Sequence, residues 1–125
     1  LSGKTCSRPV SLVDLYPTLV ELCGLPSRDG LDGRSFAPLT RTPQMPWPYP
    51  AVITHSPFWH GVNHAVRSDE YYYIRYRDGG EELYDMVADP NQWTNLAGDS
   101  GYAGEIAELK KWLPKKNADH YRSHD

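Results

Sequence analysis

The stretch YYYIRYRDGGEELYD, residues 71–85, decides the fold of this chain. Its two halves are rich in aromatic and branched side chains, and an Asp-Gly-Gly segment at residues 78–80 separates them. Glycine accepts the positive φ that a tight turn demands, and side chains on either side of it alternate between two faces. The stretch therefore predicts two antiparallel strands, residues 71–76 and 81–85, joined as a β-hairpin.

Two more strands and a helix follow from the flanking sequence. Residues 51–55 and about 63–68 have the composition of short strands, which extends the predicted sheet to four strands. Farther along, apolar residues recur at helical spacing until Pro114 ends the pattern. These positions are Tyr102, Ile106, Leu109 and Leu113. We predict an α+β fold in which a small four-stranded antiparallel sheet is packed by a C-terminal helix.

The beginning of the chain predicts a separate amphipathic helix. Ser11 and Asp14 form a capping-box pattern, and Gly24 with Pro26 ends the helix. Pro17 either kinks the helix or restarts it, because proline lacks a backbone donor but has a φ that suits a first turn. The apolar stripe consists of Leu12, Leu15, Tyr16, Leu19, Leu22 and Cys23. Such a stripe needs a neighbour, which the rest of the chain need not supply.

A proline-rich segment connects this helix to the sheet. Each proline removes a backbone donor and disfavours helix before it, so we interpret the segment as a wrapping linker. Trp47 and Tyr49 are predicted to attach the linker to the body of the domain, because large aromatic side chains bury readily. For the same reason, Trp93 and Trp112 are predicted to pin the turn after the last strand and the C-terminal helix to the sheet. The predicted organisation is a terminal helix, a linker, a subdomain and a polar tail, at residues 1–25, 26–50, 51–114 and 115–125.

Composition and charge exclude several classes of protein. With 39% hydrophobic residues and a net charge of −3, the chain resembles neither a nucleic-acid-binding protein nor a disordered one. No apolar run approaches the roughly 20 residues that cross a bilayer, so we expect no membrane partner. Cys6 and Cys23 are too few for a disulfide framework, and buried free thiols are the expected state.

Three successive pieces of the chain carry recognisable motifs. EELYD at residues 81–85, followed by DPNQWTNL at residues 89–96, is similar to the closing signature of one enzyme family, the formylglycine-dependent sulfatases. RPVSLVDLYPTL at residues 8–19 resembles the helix that leaves the large sulfatase domain. HAVRS at residues 64–68 and YYIRY at residues 72–76 lie between these pieces in the same order. Among subgroups, the chain is most similar to iduronate-sulfatase-like and choline-sulfatase-like enzymes.

The resemblance implies the C-terminal part of an alkaline-phosphatase-like sulfatase fold, with a large catalytic domain missing. In that family a Cys within a Cys-x-Pro-x-Arg motif becomes formylglycine, and carboxylates hold a divalent cation, calcium. CSRP at residues 6–9 has Arg before Pro, so it does not match that motif. We therefore expect no catalytic residue, metal ligand or cofactor in this chain, with formylglycine and calcium in the N-terminal domain. Gln92 stands where relatives commonly carry Glu, which puts a charge-based role there in doubt.

A cluster of histidines leaves three readings open. His55, His60 and His64 lie close in sequence, but no helix aligns them, so a zinc site is disfavoured. They are either ordinary loop histidines or residues of a loop that faces substrate in the assembled enzyme. The resemblance favours the last reading, because loops of the small sulfatase subdomain border the active-site mouth. The predicted rim residues are His55, Trp59, Asn63 and His64.

Two function classes are compatible with the sequence. In the first, the chain is the C-terminal part of a sulfuric ester hydrolase that supports the large domain and borders a pocket for a sulfated small molecule or sulfated sugar. In the second, it is a free-standing carbohydrate-binding or interaction module that uses residues 71–73 and Trp59. The helix after Ser11 favours the first class, and its stripe also predicts self-association of the isolated chain. The parent enzyme could be secreted, periplasmic or lysosomal.

Overall fold

The structure, a computed structural model, describes residues 3–55 and 62–116. Single 3₁₀ turns at Leu12–Asp14 and Ser100–Tyr102 lead into the first and last helices. The other elements, in chain order, are α1 (Leu15–Leu22), α2 (Ala37–Arg41), β1 (Ala51–His55), β2 (Asn63–Arg67), β3 (Tyr71–Arg75), β4 (Glu81–Asp85) and α3 (Ala103–Lys110). All but the first two residues of the predicted polar tail lie outside the described part of the chain.

The four strands form one antiparallel sheet in the order β1-β2-β3-β4. Their limits agree with the predicted ones to within one residue. At the β3–β4 turn, Gly79 has a φ of 92° and its N–H donates to the Tyr76 carbonyl at 3.1 Å. The Tyr76 N–H in turn donates to the Gly80 carbonyl at 2.8 Å. The predicted α+β fold and its hairpin are confirmed.

A row of three cross-strand neighbours forms the centre of the core. Val66 pairs with Tyr73, Tyr73 pairs with Leu83, and all three side chains are fully buried. Ile106 and Leu109 of α3 complete the cluster. Burial of each large apolar side chain stabilises the fold by about 1.5–3 kcal/mol. We call the sheet face that α3 covers the inner face, and the opposite one the outer face.

The first helix begins as the capping pattern predicts. The Asp14 carboxylate accepts the Ser11 N–H at 2.8 Å, and its second oxygen accepts the Arg34 N–H at 2.8 Å. Pro17 lies in the first turn of α1, where its missing donor leaves no hydrogen bond unmade. The restart reading of Pro17 is therefore the one that the structure shows. Thr18 is the buried residue of α1.

The proline-rich segment contains a short helix, α2, which its composition does not predict. In α2, Ala37 and Leu39 are buried and Pro38 lies in the first turn, where a proline does not interrupt the hydrogen-bond ladder. The Thr18 hydroxyl connects α2 to α1, because it accepts the Phe36 N–H at 2.9 Å and donates to the Asp14 carbonyl at 2.6 Å. The linker therefore packs against the helix that precedes it.

Aromatic side chains fasten the rest of the linker to the domain. The Trp47 and Tyr49 rings meet edge to face with centroids 5.0 Å apart, and Tyr49 meets Trp112 in the same way at 6.2 Å. The Arg34 guanidinium lies 3.6 Å from the centroid of the Tyr49 ring. The predicted attachment through Trp47 and Tyr49 is confirmed, and Trp112 reaches the linker rather than the sheet.

One residue on each edge strand has its outward backbone groups bound by the rest of the chain. In β1, the Ser11 hydroxyl accepts the Val52 N–H and donates to the Val52 carbonyl, each at 2.9 Å. In β4, the Asn95 amide oxygen accepts the Leu83 N–H at 3.0 Å, and the Leu96 N–H donates to the Leu83 carbonyl at 2.8 Å. These backbone groups are not available for pairing with a further strand.

One predicted packing role is wrong. Trp93 was expected to pin the turn after β4 to the sheet, but its side chain is 83% exposed. The turn is held instead by backbone N–H groups that donate to Asp85 and Asp89, as in Asx-type turns. Polar hydrogen bonds therefore hold this turn, and packing of the Trp93 ring does not. Among the described residues, no helix is long and apolar enough to cross a membrane.

Candidate functional site

Three of the four predicted rim residues, His55, Asn63 and His64, lie at one end of the β1–β2 pair. Trp59 falls outside the described residues. His55 and Asn63 are direct cross-strand partners on the outer face, and His55 is exposed. His64 follows Asn63 along β2, so its side chain projects from the inner face instead. The structure thus divides the three described rim candidates between the two faces of the sheet.

His64 is held at the margin of the inner face. It pairs across the strands with Thr54 and Arg75, and the Thr54 hydroxyl lies 3.3 Å from the imidazole Nδ1. The residue is half-buried and lines an open cleft of about 270 Å³ together with Arg75, Arg77 and Lys115. The cleft thus places an imidazole beside three permanent cations.

Asn63 has a structural partner. Its amide oxygen accepts the backbone N–H of Arg77 at 3.0 Å, which ties the exit of β3 to the start of β2. This contact sets the position of Arg77 relative to the sheet. Asn63 also lines a neighbouring cleft of about 410 Å³, together with Tyr76, Arg77 and Asp78.

Glu81 is the carboxylate on the inner face of the sheet that lies near His64 and Arg75, and it forms an ion pair with Lys110. Lys110 Nζ of α3 lies 2.7 Å from Glu81 Oε1. This hydrogen bond holds the pKa of the Glu81 carboxyl below its ordinary value, although burial opposes the shift. Glu81 therefore stays ionised at neutral pH and is unsuited to donate a proton as a general acid.

The outer face carries a tyrosine-rich surface. The Tyr84 hydroxyl donates to Glu82 Oε2 at 2.9 Å, and burial together with that carboxylate raises the pKa of Tyr84 to about 12. A phenol with such a pKa stays protonated and serves as a donor rather than a base. Tyr71 and Tyr73 belong to the inner face, where Tyr73 is fully buried. Residues 71–73 thus do not form the joint sugar platform of the alternative function.

The cysteines and acidic residues do not form a catalytic centre in the described part of the chain. Cys6 and Cys23 are both free and exposed, so the predicted buried thiols are wrong. The Cys6 thiol donates to the Pro43 carbonyl at 3.3 Å, and Cys23 follows α1 on its solvent side. Within residues 3–55 and 62–116, no group of three His, Cys, Asp or Glu side chains converges on a metal position. These residues therefore do not fit a calcium site, and we assign them no metal-dependent step.

Comparison with known proteins accounts for this geometry. Residues 2–119 match the family model described as N-sulphoglucosamine sulphohydrolase, C-terminal. The chain belongs to the sulfatase family. It is 38% identical over 93% of its length to a sulfatase of Formosa agariphila, of which it covers 22%. It is 35% identical over 89% of its length to a delta 4,5-hexuronate-2-O-sulfatase of Bacteroides thetaiotaomicron, of which it covers 25%.

The sulfatase fold is also found among solved structures. A 2-O GAG sulfatase superimposes with a TM-score of 0.64 and 36% identity, covering 78% of this chain and 22% of that one. The chain thus spans about a fifth to a quarter of the length of the sulfatases it matches. It is the C-terminal domain of this family, in agreement with described residues that converge on no catalytic centre.

The apolar stripe of this sulfatase domain faces solvent. Every member of the predicted stripe is exposed, with exposed fractions of 85% for Leu12, 47% for Leu15, 51% for Tyr16, 58% for Leu19 and 47% for Leu22. Contiguous apolar surface of this kind marks an interaction site. The helical spacing of apolar residues predicts the stripe, but it does not predict the cluster of basic side chains around His64. Only the strand register brings Arg75 beside His64.

Proposed function

We propose that the protein to which this domain belongs is a sulfuric ester hydrolase acting on 2-O-sulfated hexuronate, that is, an iduronate-sulfatase-like enzyme. The family match over residues 2–119 carries the proposal. One curated relative is described as a delta 4,5-hexuronate-2-O-sulfatase, and one solved structure as a 2-O GAG sulfatase. A choline-sulfatase-like activity is the competing subtype. The basic side chains around His64 favour an anionic sugar over a quaternary ammonium ester.

In this proposal the domain supports the catalytic domain and borders its substrate pocket. Residues 1–25 belong structurally to the large domain, residues 26–50 connect, and residues 51–114 form the subdomain. The exposed stripe of α1 supports this arrangement, since it offers apolar surface to an upstream domain. Formylglycine and calcium belong to that upstream domain, and the chain alone is inactive. Such an enzyme would be secreted, periplasmic or lysosomal.

The activity itself is tested by sulfate release. We expect the full-length protein to release sulfate from a 2-O-sulfated unsaturated hexuronate disaccharide, and the 125-residue chain alone to release none above buffer. Choline sulfate serves as the competing substrate in the same ion-chromatography assay. Turnover by the rigorously purified chain would overturn the proposal, and release from choline sulfate alone would assign the enzyme to the other subtype.

The rim role of His64 predicts a substrate-dependent defect. We expect His64→Ala in the full-length enzyme to raise KM for the sugar about tenfold, equivalent to ~1.4 kcal/mol of lost binding. A small aryl sulfate should be hydrolysed normally, because it does not reach the rim. His55→Ala is the matched control, since His55 is exposed on the outer face. If only the His55 variant is impaired, the outer face borders the pocket and the role of His64 is structural.

A further inference from the structure

The cleft beside His64 has an unusual charge for this chain. It lies where β3 ends, against the segment that follows α3, and its basic side chains are His64, Arg75, Arg77 and Lys115. No acidic side chain is among the described residues that line it. The whole chain has a net charge of −3, so the cleft is a local excess of positive charge. Clefts of one sign concentrate ligands of the opposite sign.

The nearby carboxylates have other hydrogen-bond partners. Glu81 pairs with Arg75 across the strands, but its carboxylate is bound to Lys110 at 2.7 Å. Asp78 lines the neighbouring cleft, and its carboxylate accepts the Gly80 N–H at 2.9 Å. Within residues 3–55 and 62–116, no ion pair joins Arg75, Arg77 or Lys115 to a carboxylate. Glu81 attracts Arg75 through space without a direct ion pair, so an incoming anion need not break an ion pair to reach these cations.

Two contacts fix the positions from which these side chains extend. Arg75 belongs to β3, and the amide oxygen of Asn63 holds the backbone of Arg77 at 3.0 Å. The Thr54 hydroxyl contacts the His64 ring from the neighbouring strand. Placement on a hydrogen-bonded sheet lowers the entropy lost when a ligand binds. The cleft therefore has the features of a preformed anion site.

We propose that this cleft binds a second anionic group of the sugar, a sulfate or a carboxylate, adjacent to the residue whose 2-O-sulfate is hydrolysed. The proposal rests on the proposed function, because it assumes a substrate with more than one anionic group. Planar guanidinium groups pair with the oxygens of carboxylates and tetrahedral oxyanions through two hydrogen bonds at once. Arg75 and Arg77 supply two such groups at one end of the sheet.

Binding to the isolated chain tests the cleft directly. The probe is a sulfated, uronate-containing hexasaccharide, titrated by calorimetry at low salt, where exposed charges are least screened. We expect the double variant Arg75→Gln/Arg77→Gln to bind at least tenfold more weakly than the wild type. Arg41→Gln, an exposed arginine at the end of α2, is the matched control and should bind normally. Equal affinities of the wild type and the double variant would overturn the proposal.

Two further arms identify the recognised group. A hexasaccharide with carboxylates only, and a neutral-sugar hexasaccharide with sulfates only, separate the two sources of the oxyanion. The wild-type chain should bind one of the two hexasaccharides more tightly than the other. In the double variant this difference in affinity should disappear. Both arginines are exposed, so the melting temperature of the variant should equal that of the wild type. If the Arg41→Gln control lost as much affinity for both hexasaccharides as the double variant does, the effect would come from net charge alone, and the cleft proposal would be contradicted.

The full-length enzyme separates this proposal from the proposed function. In the double variant we expect KM for the hexasaccharide to rise about tenfold with kcat unchanged, and the kinetics of a disaccharide whose second residue carries no charge to stay the same. A full-length enzyme that releases no sulfate from either sugar would contradict the proposed function. One that releases sulfate with the same KM in the wild type and the double variant would contradict the cleft alone.

Discussion

Full-length protein carrying Leu15→Glu and Leu19→Glu should lose at least 100-fold in kcat/KM for sulfate release. Both leucines lie on the exposed stripe of α1, at 47% and 58% exposure in this chain. If an upstream domain covers them, each glutamate carries an uncompensated charge into an apolar interface. A loss of about 2.7 kcal/mol in docking free energy already corresponds to 100-fold. Limited proteolysis should then release the C-terminal domain from the variant.

The isolated chain provides the decisive comparison. There the double glutamate variant should melt within about 2 °C of the wild type, because substitutions at exposed positions rarely change stability by more than ~0.5 kcal/mol. Thr18→Ala is the control at the buried position of α1, since Thr18 is 2% exposed and hydrogen-bonds α1 to α2. It should lower the melting temperature of the chain and leave docking intact. A glutamate variant with normal full-length kinetics, or with a destabilised isolated chain, would refute docking through this stripe.

The stripe also bears on the predicted self-association of the isolated chain, which stays a prediction. Light scattering of the wild type and the double glutamate variant would test it with the same proteins. A concentration-dependent mass that the glutamates abolish is the expected result. Exposed leucines on a regular helix pair readily with a second copy when their natural partner is absent.

Local signals in the sequence predicted the four-stranded sheet and the helix α3 that packs on it. The Asp-Gly-Gly turn set the register of the hairpin, because only Gly79 with its φ of 92° closes the turn at that point. Helical spacing likewise located α3, whose Ile106 and Leu109 complete the core. Such signals succeed because a turn residue and an apolar period each act over a few neighbouring residues.

The errors came from features that depend on tertiary context. Proline content hid α2, because Pro38 is harmless in a first turn and harmful only later in a helix. Trp93 was expected to be buried for its size, yet polar contacts of Asp85 and Asp89 hold the turn and leave the ring in solvent. The size of a side chain does not reveal whether a surface is available to bury it.

The candidate site shows the same limit. His55 and His64 were grouped by their closeness in sequence, but the two-residue period of a strand places them on opposite faces. Conversely, Arg75 is distant from His64 in sequence and becomes its neighbour only through the β2–β3 register. A site built across strands therefore requires the pairing, which composition and motif do not supply.

The closing signature of the family makes the last prediction, which concerns stability. Asn95 accepts the Leu83 N–H at 3.0 Å and the Ala97 N–H at 2.9 Å, and its NH₂ group donates to the Glu81 carbonyl at 3.3 Å. It therefore replaces the missing neighbour of β4 and starts the segment that leads to α3. We expect Asn95→Ala to lower the free energy of unfolding by about 2 kcal/mol, because the Leu83 N–H loses its partner beside the core.

Two variants at the same loop sharpen this test. Asn95→Asp keeps the acceptor for both N–H groups but faces the Glu81 carbonyl with a second acceptor, so about half of the loss should remain. Trp93→Ala should be neutral within ~0.5 kcal/mol, since the ring is 83% exposed. Urea unfolding followed by circular dichroism measures all three, and 2 kcal/mol corresponds to a melting shift of about 8 °C. The structure assigns the role of the signature to the Asn95 amide, which binds the backbone of β4. If Trp93→Ala lowered the free energy of unfolding more than Asn95→Ala, the signature would instead act through the Trp93 ring.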